Sequence, residues 1–155
     1  MSTAHDIEVG HQAAVLPGLL DRFRQLFNQM GSGHLGDLSS VYSDDIIFTD
    51  PFSTVRGLAQ LTRHLDSSYQ NVISCRFEFG LPVVDKQQVA LPWIMYLRHK
   101  RLNKGVLVTV DGLSLLRIDG QRIGYHRDYF DAGQLLYENV PVLGRMIRWI
   151  RGQAV

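Results

Sequence analysis

The hydrophobic period of this chain changes at its midpoint. Four runs in the second half, Val72–Val84, Gln88–His99, Val106–Ile118 and Arg122–Phe130, are long, strand-like and rich in branched and aromatic residues. They are separated by turn chemistry: Asp85-Lys86, Asn103-Lys104-Gly105 and Asp119-Gly120, the last a strong hairpin signal. Consecutive long strands joined by short turns form an antiparallel meander. Such a sheet needs an apolar cover on one face, and the first half of the chain supplies it.

There Leu16, Leu19, Leu20, Phe23, Leu26 and Phe27 recur at helical spacing, with Asp21, Arg22, Arg24 and Gln25 between them. Pro17 suits a first helical turn, and the dozen polar residues at the start read as loose. Gly31-Ser32-Gly33 ends the helix. A shorter helix, about Leu35–Tyr42, leads to an apolar strand, Ile46-Ile47-Phe48. After Pro51, Leu58–Tyr69 is again amphipathic, with Leu58, Leu61 and Leu65 on one stripe. Helices followed by an antiparallel sheet give an α+β fold, a cone-shaped curved sheet wrapped around N-terminal helices. The 155 residues form one domain, with a core at about 16–136 and a helical extension at about 141–151. The apolar mouth of the cone is the natural ligand site.

Charge and cysteine use narrow the classes. A formal charge of +1 gives no reason to expect nucleic acid as a partner. The single cysteine, Cys75, excludes an internal disulfide and reads as a small core residue. The start, MSTAHDIEVGHQ, lacks the pattern of a signal peptide, and no apolar run is long enough to span a bilayer, so a cytoplasmic location is expected. His5, His11, His34, His64 and His99 are scattered without metal-ligand spacing and read as surface or incidental. There is no phosphate-cradling glycine loop and no Ser-His-Asp phrase. Neither a metal nor a cofactor is expected.

Candidate chemistry sits at two strand ends. Along YSDDIIFTDPF the alternation of a strand puts Ile46, Phe48 and Asp50 on one face. Asp50 continues an apolar face just before Phe52, as a buried acid with a raised pKa would; it is equally the Asp-Pro start of a turn. In GYHRDYFD, one face carries His126, Asp128 and Phe130, and the other carries Tyr125, Arg127 and Tyr129. This strand is either the wall of a pocket or a solvated edge with surface ion pairs. Gly112 interrupts the third long strand and marks a bulge or a close backbone approach. A bulge would decide whether Asp111 or Ser114 faces inward.

With those phrases in hand, the chain resembles the nuclear transport factor two-like superfamily, in particular its SnoaL-like members. That group is similar to ketosteroid isomerases, limonene-epoxide hydrolases and polyketide cyclases. The likeness runs from about Leu19 to Leu136. It implies a cystatin-like conical α+β barrel, commonly a homodimer, with a deep apolar pocket. Asp50-Pro51 matches the isomerases' proton-shuttling base. Their oxyanion-hole Tyr falls here at Leu26 or Phe27, which donate no hydrogen bond, and their late-strand Asp falls near Ser114, or on Asp111 if a bulge at Gly112 absorbs the difference. Asp128 matches one acid of the epoxide hydrolases, whose middle-strand Arg-x-Asp pair falls at about Trp93 and Met95.

The resulting expectation is a small-molecule enzyme acting by proton transfer on an apolar carbonyl-bearing substrate. Asp50, His126 and Asp128 are its catalytic candidates, and Phe27, Phe52, Trp93 and Ser114 its substrate-binding ones. The alternative is a non-catalytic ligand-binding or dimerisation module of the same fold. The resemblance does not explain the tail PVLGRMIRWIR. There Leu143, Met146, Ile147 and Ile150 share one side, and Arg145, Arg148 and Arg151 carry the charge. It reads as an amphipathic lid or as a membrane-surface helix with Trp149 at the interface.

Overall fold

A computed structural model describes residues 4–136 and 141–153, with side chains from 14 to 136 and from 145 to 153. Its helices are α1 (Ala4–Met30), α2 (Leu58–Tyr69), α3 (Ala132–Leu135) and α4 (Pro141–Gln153). Its strands are β1 (Tyr42–Thr49), β2 (Thr54–Arg56), β3 (Val72–Phe79), β4 (Val83–Asp85), β5 (Gln88–His99), β6 (Val108–Asp119) and β7 (Arg122–Phe130). The strands form one curved, unclosed sheet in the order β2-β1-β7-β6-β5-β3, with β4 paired to β5. This is the expected α+β layout.

One pairing departs from an all-antiparallel sheet. β1 runs parallel to β7, with Phe48 opposite His126 and Thr49 opposite Arg127. The first strand of the chain therefore closes against the last.

The inner face of the sheet and the helices share one core. Leu19, Phe23, Leu26 and Phe27 of α1 pack with Ile46 and Phe48 of β1, Leu61 and Leu65 of α2, and Leu91, Leu116 and Ile123. Removing such side chains from water is the main driving term, roughly 1.5–3 kcal/mol for each large one. Among the described residues, Ser114 and His126 are buried in this core together with the hydroxyl-bearing Tyr42.

Several sequence expectations are corrected. α1 begins at Ala4, so the polar residues from 4 onward are helical and Pro17 lies inside the helix rather than in its first turn. His5 and His11 fall outside the described side chains, as does Leu143. The helix expected over Leu35–Tyr42 is a single 3-10 turn, Leu38–Ser40, opened by Asp37, whose carboxylate accepts from the Ser39 amide at 3.0 Å. Tyr42 instead starts β1, where alternation puts it on the buried face with Ile46, and the ladder to β7 shifts register between Tyr42 and Ile47. The run Val72–Val84 is broken between β3 and β4, where Pro82 carries no N–H for a ladder.

Gly112 is not at a bulge. The β5–β6 register runs unshifted from Gln88 opposite Arg117 to Leu97 opposite Val108. The glycine is there because the Trp93 indole lies across it: a Cβ at 112 would collide with Cη2, Cζ2 and Cζ3 of the six-membered ring. The irregularity falls later, between Arg117 and Ile118 of the β6–β7 ladder. Asp111 is consequently exposed and Ser114 is buried. The Asp119-Gly120 hairpin forms as expected, with Gly120 in the left-handed region at φ 61°.

Candidate active site

The β6–β7 register places Ser114 opposite Asp128 and Leu116 opposite His126. Alternation along β7 turns His126, Asp128 and Phe130 to the inner side, which decides against a solvated row. Arg127 and Tyr129 face outward, with the Arg127 guanidinium 4.8 Å from the Tyr129 ring centre.

His126 is fully buried and satisfied at both ring nitrogens. Its Nδ1 lies 2.8 Å from the Tyr42 hydroxyl, and its Nε2 lies 2.7 Å from Asp128 Oδ1. The Ser114 hydroxyl donates to the same Asp128 oxygen at 2.6 Å and also lies 3.2 Å from His126 Nε2. The Trp93 indole N–H donates to Ser114 Oγ at 2.9 Å. The indole reaches Ser114 by lying over the bare Gly112 backbone. One consistent proton order satisfies every group. Tyr42 donates to Nδ1, Nε2–H and the Ser114 hydroxyl donate to Oδ1, and Trp93 donates to Ser114. All donors run toward Asp128. Its second oxygen, Oδ2, receives no hydrogen bond among the described residues.

The surroundings are aromatic. Phe23, Phe27, Tyr42 and Phe48 ring the His126 imidazole at centroid distances of 5.4, 6.0, 5.9 and 4.9 Å. Burial, and secondarily the Asp128 charge, pushes the Tyr42 phenol well above its ordinary pKa. It therefore remains a neutral hydroxyl.

Asp50 ends β1 and does two things. Its Oδ1 accepts from the amides of Phe52 and Ser53, both at 2.8 Å, and from the Ser53 hydroxyl at 3.3 Å. This is the turn that sends β2 back along β1. Its Oδ2 lies 3.5 Å from His64 Nε2. The reading of His64 as incidental is thereby corrected: it partners Asp50 from α2 and contacts the Phe48 ring at 5.7 Å.

β1 ends opposite Arg127, so β7 continues past it without a partner on that side. The notch is an open cleft of about 470 Å³, lined by Asp50, Pro51, Arg127, Asp128, Tyr129 and Phe130. Asp50 and Asp128 thus meet at one cleft. His126, Ser114 and Trp93 stand behind Asp128 and do not line it, and Phe27 lies deeper, against His126. Phe52 is 47% exposed and packs on Phe130 at the rim, at 5.8 Å. Behind the cleft, the rings of Phe23, Phe27, Tyr42 and Phe48 surround His126. Among the described residues, no group of three or more His, Cys, Asp and Glu side chains could hold a metal ion.

Two partners escaped sequence reasoning. Tyr42 is 84 residues from His126, and only the parallel β1–β7 pairing brings them together. His64 borders the Leu61–Leu65 stripe of α2, a position that signals partial burial but names no partner.

Comparison with known proteins places the fold. Three solved structures illustrate it. An NTF2-like protein of unknown function from Exiguobacterium sp. 255-15 aligns with TM-score 0.64 and 19% identity, over 74% of this chain and 98% of that one. A hypothetical protein with a ketosteroid isomerase-like fold from Catenulispora acidiphila, in complex with trimethylamine, aligns with TM-score 0.67 and 16% identity, over 79% and 92%. An LEH-like epoxide hydrolase from M. tuberculosis aligns with TM-score 0.61 and 19% identity, over 83% and 92%. No curated protein matches the sequence. The model of the SnoaL-like domain matches residues 23–126, from the core of α1 to the buried histidine of β7. On the family match and the shared curved sheet together, this chain belongs to the SnoaL-like domain family.

Proposed function

We propose that this protein is a small-molecule enzyme that moves a proton on an apolar, carbonyl-bearing substrate, an isomerase, cyclase or dehydratase, in the cleft between Asp50 and Asp128. The observation that carries this reading is the asymmetry of the Asp128 carboxylate. Oδ1 is fixed by Ser114 and His126, Oδ2 accepts no hydrogen bond among the described residues, and Asp128 lines the cleft. A base held rigidly through one oxygen and open at the other is poised for proton abstraction. Asp128 takes the proton from the carbon beside the carbonyl, the electron pair moves to the carbonyl oxygen, and the proton returns at another carbon. His126, backed by Tyr42, orients the base. Asp50, with His64, is the second acid–base group across the cleft, and Phe52 and Phe130 supply the apolar rim.

The test is hydrogen–deuterium exchange at the carbon next to the carbonyl in a panel of apolar cyclic ketones, followed by NMR in D2O. Exchange by the wild-type protein and its loss in Asp128→Asn is the expected result. Ligand binding without exchange would favour the second reading, a ligand-binding module. That reading draws support from the hydrogen bonds that make Asp50 a turn residue, and from Leu26 and Phe27 standing where the related isomerases carry a Tyr.

A further inference from the structure

α4 is an amphipathic helix whose apolar side is turned to solvent. It contains no Asp or Glu. At helical spacing, Met146, Ile147, Trp149 and Ile150 form one arc, and Arg145, Arg148 and Arg151 form the opposite one. Packing would hide the first arc, yet Met146 is 52% exposed, Trp149 66% and Ile150 50%. A helix of 13 residues is marginal alone in water, so this face calls for a cover.

A second patch has the same make-up. The β5–β6 connection carries Lys100, Arg101 and Lys104, all exposed, and none makes an ion pair among the described residues. No acidic residue occurs from Lys86 to Val110. Beside these cations, Val106 is 59% exposed and Leu107 51%. The two patches flank one stretch of chain. Leu135 and Leu136 pack on Leu97 and Leu102 at the base of this connection. At the other end of that stretch, Asp131 lies 3.9 Å from Arg151 of α4 and directly follows Phe130 of the cleft.

We infer that α4, together with the β5–β6 connection, docks the protein on an anionic lipid bilayer with the cleft close to the membrane surface. Apolar side chains with a tryptophan among them suit the boundary between headgroups and acyl chains, and exposed Arg and Lys suit acidic headgroups. Two cationic, apolar patches offer more attachment than one short helix. The inference rests on the proposed function in one respect: a cleft held at a bilayer would draw its apolar substrate from the membrane phase.

The experiment is co-sedimentation of the full chain with vesicles of phosphatidylcholine alone and of equimolar phosphatidylcholine and phosphatidylglycerol. Binding to the acidic vesicles only is expected, with a blue shift of tryptophan emission that Trp149→Phe removes. Ile150→Glu should abolish binding, and Arg145→Gln with Arg148→Gln should weaken it roughly thirtyfold. Asp128→Asn should bind vesicles like the wild type, so a failure of proton transfer leaves this result readable. Absence of binding to acidic vesicles would overturn the inference. So would a fall in molecular mass with Ile150→Glu while vesicle binding stays unchanged, which would make the face a contact between copies of this chain.

Discussion

The rings of Tyr42 and His126 lie 14° from parallel in the core, 5.9 Å between centroids, with the phenol oxygen 2.8 Å from Nδ1. The hydroxyl is the only partner of that nitrogen among the described residues, and both side chains are fully buried. Tyr42→Phe should therefore leave a buried acceptor unpaired, costing about 1–3 kcal/mol in a urea titration. It should also release the tautomer, so that the ring 15N shifts of His126 no longer show a proton confined to Nε2. Unchanged shifts in the variant would mean that Asp128 alone fixes the imidazole.

Asp50 separates by substitution. Asn at this position keeps an oxygen for the Phe52 and Ser53 amides, so stability should stay within about 0.5 kcal/mol of wild type. Ala removes the acceptor and should cost about 1–2 kcal/mol. Denaturation midpoints read the turn, and deuterium exchange on a bound ketone reads the acid–base role. A destabilised Asn variant with full exchange would leave Asp50 as a turn residue alone.

Alkaline pH should destabilise the fold. Burial pushes the Cys75 thiol up from 9.0 to about 11. Burial likewise holds Tyr42 and Tyr69 well above the ordinary phenol value, with nearby Asp128 and Cys75 adding to it. The folded state binds these protons more tightly than the unfolded chain, so stability falls as pH rises through the unfolded values. For Cys75 the loss is on the order of 2–3 kcal/mol, developing between about pH 9 and 11. Midpoints measured from pH 7 to 11 should drop for the wild type and drop less for Cys75→Ala. A flat profile would contradict the buried thiol.

How much of this was legible in the sequence depends on range. α2 and β7 have the boundaries that period and turn residues gave, because amphipathic spacing and an Asp-Gly turn are local signals. The inward face of β7 was legible for the same reason, since alternation needs no knowledge of the partner strand. The gap at Pro82 was missed because strong branched residues on both sides outweigh one proline in a pattern count. Gly112 was legible as special, but its cause, an indole arriving from β5, is a tertiary contact with no local signature. Tyr42 and His64 were missed on the same ground, because each finds its partner only after strand pairing or helix docking.

The outer face of the sheet is left uncovered by the described helices. It presents Tyr129, 45% exposed, beside Arg127, and Tyr125 beneath Arg117 at 5.3 Å. Leu113 lies directly opposite Tyr129 and is half-buried. We propose that this face pairs two copies of the chain. Sedimentation velocity at micromolar concentration should give a dimer, and Leu113→Arg with Tyr129→Asp should give a monomer. A wild-type monomer under those conditions would remove the proposal.

The parallel seam between β1 and β7 has a kinetic consequence. The cleft joins residue 50 to residue 128, and Tyr42 reaches His126 across 84 residues of chain, so the site is complete only when β1 has joined β7. Pairings of such long sequence separation carry a high loop-closure cost and slow folding, and the expected order is that this seam forms after the local β5–β6–β7 hairpins. Activity, if measured during refolding, would then appear only with the last phase, when the opening strand slides in beside the closing one.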